Sequence, residues 1–103
     1  MMNEKDFAEL AEMYRLFGSV PRLKIICALR DGERTVSELM EAVGLSQSAV
    51  SHQLRDMKYS HIVKRLRDGL NICYSLDDSH ILGILGAGIE HIEHMEEEEY
   101  NHE

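Results

Sequence analysis

The chain has no apolar run that could cross a bilayer: the longest, Ile81 to Ile89, falls well short of the roughly 20 residues a spanning helix needs. It has only two cysteines, Cys27 and Cys73, far apart, without Cys-x-x-Cys spacing and set among Ile, Ala and Tyr. No disulfide framework follows from them, and both are expected as reduced core residues. Pro-rich and Ser-rich linkers and internal repeats are missing as well, so the 103 residues read as one domain, 1–103, large enough to bury a modest core. The opening Met-Met-Asn-Glu-Lys-Asp-Phe is polar and acidic where a secretory signal is basic and then apolar. A cytoplasmic protein with no membrane partner is expected.

Positive charge is also scarce, with a net charge of -8. Alone this argues against nucleic acid, whose phosphates are bound by basic residues with counterion release. The distribution reverses the inference. Between Ser46 and Leu76 the local charge is +3, whereas from Asp77 onward there are nine acids and no Lys or Arg. A basic middle with an acidic end is compatible with DNA binding by the middle.

Phe7, Leu10, Ala11, Tyr14 and Phe17 recur at helical spacing and predict a first amphipathic helix ending at Gly18. Ser19 and Pro21 open a second, running through Leu23, Ile26, Cys27 and Leu29 to a stop at Asp31-Gly32. Both read as scaffold. Ser37 then caps a short helix that Gly44 stops, and Ser46 caps a longer one, about 46–60. That order is a helix-turn-helix, whose second helix lies in the major groove with its first turns against base edges. The hydrogen-bonding positions Gln47, Ser48, Ser51, His52 and Arg55 are the expected DNA readers, while Ala49, Val50, Leu54 and Met57 face inward. Two β-rich stretches, 62–66 and 70–76, joined by Arg67-Asp68-Gly69, predict a hairpin. A hairpin directly after a helix-turn-helix is a wing, about 62–76, and its Lys64, Arg65 and Arg67 are placed to touch phosphates. The fold class is mainly α with a β-hairpin wing, a winged helix-turn-helix.

Asp77 and Asp78 cap a last helix, about 78–97, followed by an acidic tail, 98–103, expected to be frayed. Leu82, Leu85, Ile89 and Ile92 give the 3-4-3 spacing of a helix that packs on another helix. Gly83, Gly86 and Gly88 interrupt it, each costing on the order of 1 kcal/mol relative to Ala. Close approach of a second backbone would compensate, so the helix is expected to cross its own copy in a homodimer formed through the first and last helices. Asp78, His80, His91 and His94 are metal-ligating types. His91 and His94 share one helical face, but His80 lies eleven residues earlier, roughly 16 Å along the axis. One chain cannot gather all four. Antiparallel mates can, and the midpoint of the two pairs falls at Gly86, which marks the dimer axis. Each dimer would then carry two sites of one carboxylate and three imidazoles, suited to Zn(II) or Co(II). The competing reading of the same residues is a solvated polar face.

Four stretches together resemble the ArsR/SmtB family of metal-sensing repressors: Gly18-Ser-Val-Pro-Arg-Leu-Lys-Ile25, Leu45-Ser-Gln-Ser-Ala-Val-Ser-His-Gln-Leu54, Tyr74-Ser-Leu-Asp-Asp78, and Asp78-x-His80 with His91-x-x-His94. The resemblance implies a homodimer that binds inverted-repeat operator DNA when apo and releases it on binding Zn(II) at two interfacial sites. Asp78 and His80 would come from one protomer and His91 and His94 from the other. It also implies a hydrogen bond from the free ring nitrogen of His91 to the main chain near His61, and metal efflux or homeostasis genes as targets. The chain departs from the family's thiolate sensors, with Thr35-Val-Ser37 where they carry Cys-x-Cys, which disfavours soft-metal sensing. The alternative function is a metal-independent winged-helix regulator with surface histidines. A zinc hydrolase is disfavoured, because four protein ligands close the sphere that catalytic zinc keeps open.

Overall fold

Three of the helices begin where a short polar side chain satisfies N–H groups that have no partner inside the helix. A computed structural model describes residues 1–101 as α1 (Glu4–Phe17), α2 (Val20–Ala28), α3 (Val36–Val43), α4 (Gln47–Tyr59), β1 (Val63–Asp68), β2 (Asn71–Leu76) and α5 (Ser79–Asn101). Asn3 and Asp6 form a reciprocal capping box on α1. Ser46 Oγ accepts from the Ala49 N–H at 3.2 Å to start α4. The cap of α3 is Thr35 rather than the expected Ser37, because Glu38 stands three residues after Thr35 and completes the box. Those bonds hold the Glu38 carboxyl below its ordinary pKa, the Thr35 backbone N–H being the main cause. Gly44 closes α3 in the left-handed region at φ 71°, a conformation glycine takes without steric cost. Helix α2 ends at Ala28, short of the expected stop, as Leu29 N–H turns to both Ile25 and Ile26 carbonyls at 3.1 Å.

The wing is a two-stranded antiparallel sheet with register from Val63↔Leu76 to Asp68↔Asn71. Arg67 and Asp68, expected in the connection, are therefore strand residues, and the loop is Gly69-Leu70. Gly69 at φ 63° supplies the first central position of a hairpin turn whose twist matches that of the strands, so pairing continues to the tip. Arg34 forms an isolated bridge to the outer edge of β2, exchanging bonds of 2.9 and 2.8 Å with Tyr74. Asp77 N–H donates to the Ile62 carbonyl at 2.9 Å.

The core gathers Leu16, Ile25, Ile26, Leu39, Val50, Leu54, Met57, Ile62 and Val63, with Ile81 and Leu85 of α5 laid against it. Each such buried side chain contributes about 1.5–3 kcal/mol of transfer free energy. Two expectations are corrected here. Cys27 is exposed, since the inward face of α2 is occupied by Ile25, Ile26 and Leu29; Cys73 is half-buried, and desolvation pushes its thiol up. The apolar stripe of α1 is not scaffold contact: Phe7 and Tyr14 are 54% and 55% exposed, and the buried residues are Leu16 and Phe17 at the end. On α5, Ile81, Leu85 and Ile89 face this chain's own core, and Leu82 and Ile92 of the expected helix-packing seam are left exposed on the single chain.

Two helix ends bear on function. After α4, His61 takes φ 59°, its N–H meets the Lys58 carbonyl at 3.1 Å, and Ile62 N–H reaches Met57 at 2.8 Å. This is a Schellman stop with a histidine where glycine is usual, sealed by the buried pair Met57 and Ile62. Replacing His61 by Gly should raise the urea midpoint, by up to about 1 kcal/mol, because the left-handed cost of a side chain is removed. A lower midpoint would mean that the imidazole itself holds the turn. The second end is that of α5, which runs through Asn101 where a frayed tail from residue 98 was expected. Glutamate is a good helix former, and His94 Nε2 meets Glu98 Oε1 at 3.2 Å one turn on. His102 and Glu103 lie outside the described residues.

Candidate functional site

Gln47, Ser48, Ser51, His52 and Arg55 all lie on the exposed side of α4, opposite Val50, Leu54 and Met57, which are fully buried. Ser46 and Ser48 hydroxyls stand 3.3 Å apart at its first turn. Arg55 Nη2 lies 2.8 Å from His52 Nδ1, so these two expected readers are joined. On the wing, Lys64, Arg65 and Arg67 are exposed, but strand alternation puts Lys64 on the face opposite Arg65 and Arg67. Arg67 Nε donates to the Gly69 carbonyl at 3.2 Å, which brings its guanidinium back to the turn.

The metal-ligating types fall into two half-sets at opposite ends of α5's first four turns. Asp78 Oδ1 accepts from the His80 N–H at 2.8 Å and lies 3.1 Å from His80 Nδ1. The backbone bond is the main reason the Asp78 carboxyl sits below its ordinary pKa, so it is an anionic oxygen donor at neutral pH. With Nδ1 turned to Asp78, His80 keeps Nε2 for a ligand, and its side chain is 88% exposed. His91 and His94 are exposed further along. Among the described residues no group of three or more His, Cys, Asp or Glu is gathered as one metal site within the chain. The donor chemistry fits a borderline cation, but only as two pairs. At Gly83, Gly86 and Gly88 a Cβ would meet, among the described residues, nothing within 4 Å apart from its neighbours and the backbone of its own helix. The sequence missed the surroundings of His52: Asp56 Oδ2 lies 3.7 Å from His52 Nε2 and 3.8 Å from Arg22 Nη2. The only signal was that Asp56 follows His52 by one helical turn.

Residues 19–65 match the model of the bacterial regulatory protein, arsR family. Over 88 residues, 85% of this chain and 73% of the relative, the sequence is 41% identical to the HTH-type transcriptional regulator NmtR of Mycobacterium tuberculosis. The chain belongs to the arsR family. It is 35% identical to the transcriptional repressor SmtB homolog of Synechocystis over 85 residues, 82% of this chain and 64% of that protein. The solution structure of apo-NmtR superposes with a TM-score of 0.75 at 38% identity, covering 91% of this chain and 79% of that one. As an arsR-family member the chain is a DNA-binding winged helix-turn-helix regulator and not an enzyme. No helix among the described residues is long and apolar enough to cross a membrane.

Proposed function

We propose that this arsR-family chain is a cytoplasmic repressor that binds inverted-repeat operator DNA as an apo homodimer and releases it when Zn(II), or Co(II), binds two interfacial sites. The observation that carries the reading is the split donor set: Asp78 and His80 are paired at one end, His91 and His94 stand well along the same unbroken helix, and Gly86 lies midway. Two further features support a second copy crossing there. The exposed apolar side chains of α1 (Phe7, Leu10, Tyr14) and α5 (Leu82, Ile92) find no cover in the chain, and Phe17, Leu23, Ile84 and Ile89 line a groove between α1, α2 and α5.

Asp78 and His80 of one protomer with His91 and His94 of its mate would hold the ion, which supplies a Lewis-acid centre drawing donors from two chains into one shell. The protein's part is to place the reading helices. Gln47, Ser48, Ser51, His52 and Arg55 face base edges, and Lys64, Arg65 and Arg67 face phosphates. His61 closes the turn at the end of α4, where the resemblance puts a main-chain bond from His91, so a metal-set tilt of α5 would reach the reading helix directly. Metal efflux or homeostasis genes are the class of target this implies.

The test is fluorescence anisotropy on the duplex that the apo protein selects from a randomised pool, titrated with Zn(II), Co(II) and Ni(II). Tight apo binding that weakens with Zn(II) or Co(II) is expected. Linkage adds that the same duplex must weaken metal binding by the same factor. Affinity unchanged across all three titrations would leave a metal-independent regulator.

A further inference from the structure

His52 stands among the residues read above as base contacts, yet its ring is hydrogen-bonded at one nitrogen and has a carboxylate beside the other. Arg55 Nη2 lies 2.8 Å from Nδ1. A guanidinium carries donors only, so Nδ1 accepts and the neutral ring holds its proton on Nε2. Nε2 faces Asp56 Oδ2 at 3.7 Å, and that same oxygen is 3.8 Å from Arg22 Nη2 on α2. Arg22 is no ordinary surface cation: its side chain is 15% exposed and its Nε is buried without a hydrogen-bond partner. A guanidinium held that deep needs an opposing charge. Asp56 supplies it from the reading helix.

An aspartate beside DNA phosphates is otherwise a liability, because it repels them. Here its carboxylate lies 3.8 Å from Arg22 Nη2 and 3.7 Å from His52 Nε2, within electrostatic reach of both. We propose that Asp56 and Arg22 are positioning residues for operator recognition: Arg22 fixes Asp56 from the scaffold, Asp56 fixes the His52 ring, and the ring fixes Arg55. Two long side chains thus reach the base edges already ordered, so less freedom is lost on binding. This rests on the reading of His52 and Arg55 as DNA contacts.

The probes are the duplex selected by the wild-type protein and poly(dI-dC). Asp56→Asn keeps the shape and removes an acid, so electrostatics alone predicts tighter binding to both. Positioning predicts the opposite for one of them: the selected duplex loses about tenfold in affinity while poly(dI-dC) binding holds or rises. Arg22→Lys should lose affinity in the same direction, and the double variant should be no worse than the poorer single, since both act along one line of contacts. In 15N spectra the wild-type His52 should show the Nε2–H tautomer, which becomes mixed in Asp56→Asn. Melting midpoints accompany each variant, and if Arg22→Lys does not fold, Asp56→Asn decides. Tighter binding of both DNAs by Asp56→Asn, or losses that add in the double variant, overturns the proposal. If His52→Ala and Arg55→Ala leave affinity and sequence preference intact, the base-reading role falls and positioning falls with it. If they matter while Asp56→Asn follows electrostatics, only the positioning is overturned.

Discussion

Mixing a His80→Ala protomer with one carrying His91→Ala and His94→Ala will rebuild a metal site that neither parent homodimer has. In the first homodimer every site lacks an imidazole, and in the second every site keeps only Asp78 and His80. A heterodimer is different. The double variant contributes its intact Asp78 and His80, the single variant its intact His91 and His94, and one of the two sites is complete while the other is left with Asp78 alone. Co(II) added after subunit exchange should therefore show tetrahedral visible absorption absent from both parents, with about one tight ion per heterodimer. Operator release by metal should return in part in the same mixture. Heterodimers that form but gain no absorption would mean the donors are not shared between chains, and the proposed mechanism would be wrong.

The second large effect is expected at Gly86. A Cβ there meets, among the described residues, nothing within 4 Å beyond its neighbours and its own helix backbone, so within one chain Gly86→Leu should favour the helix by about 1 kcal/mol. If α5 crosses its copy at this residue, the same leucine forces two backbones apart at a cost of about 1–3 kcal/mol. That is roughly a five- to 150-fold rise in the dimer dissociation constant. The two consequences have opposite signs and are measured separately, the first by urea unfolding at low concentration and the second by sedimentation. A variant that is more stable yet dimerises as well as the wild type places the axis elsewhere.

Much of the architecture could be read in advance because its signals are local. Gly18, Gly44 and Ser46 mark helix ends by their own backbone and side-chain chemistry, and the alternation around Gly69 announces a hairpin. Misreadings came where a choice depended on neighbours. Thr35 and Ser37 are both good caps, and only the distance to Glu38 selects the first. Cys27 is apolar enough for a core, but helix phase gives that place to Ile25 and Ile26. The stripe of α1 is amphipathic with its middle uncovered among the described residues, so periodicity gave the tendency to be buried but not the place. The contact of Asp56 with Arg22 was illegible, because nothing in spacing tells which side chain of α2 faces α4, whereas its approach to His52 one helical turn away carried a signal that was passed over.

The bridge between Arg34 and Tyr74, with the Asp77 to Ile62 bond, fastens the segment before α3 and the exit of α4 to the hairpin. Reading helix and wing consequently travel as one piece. If the proposed homodimer reads an inverted repeat, each half-site must offer its bases and its flanking phosphates at a single fixed offset: one base pair inserted between them should abolish recognition of that half, however flexible the pairing of the two subunits. On that reading, any adjustment to different promoters would fall to the spacer between halves, with the hinge in the dimer and not in the domain.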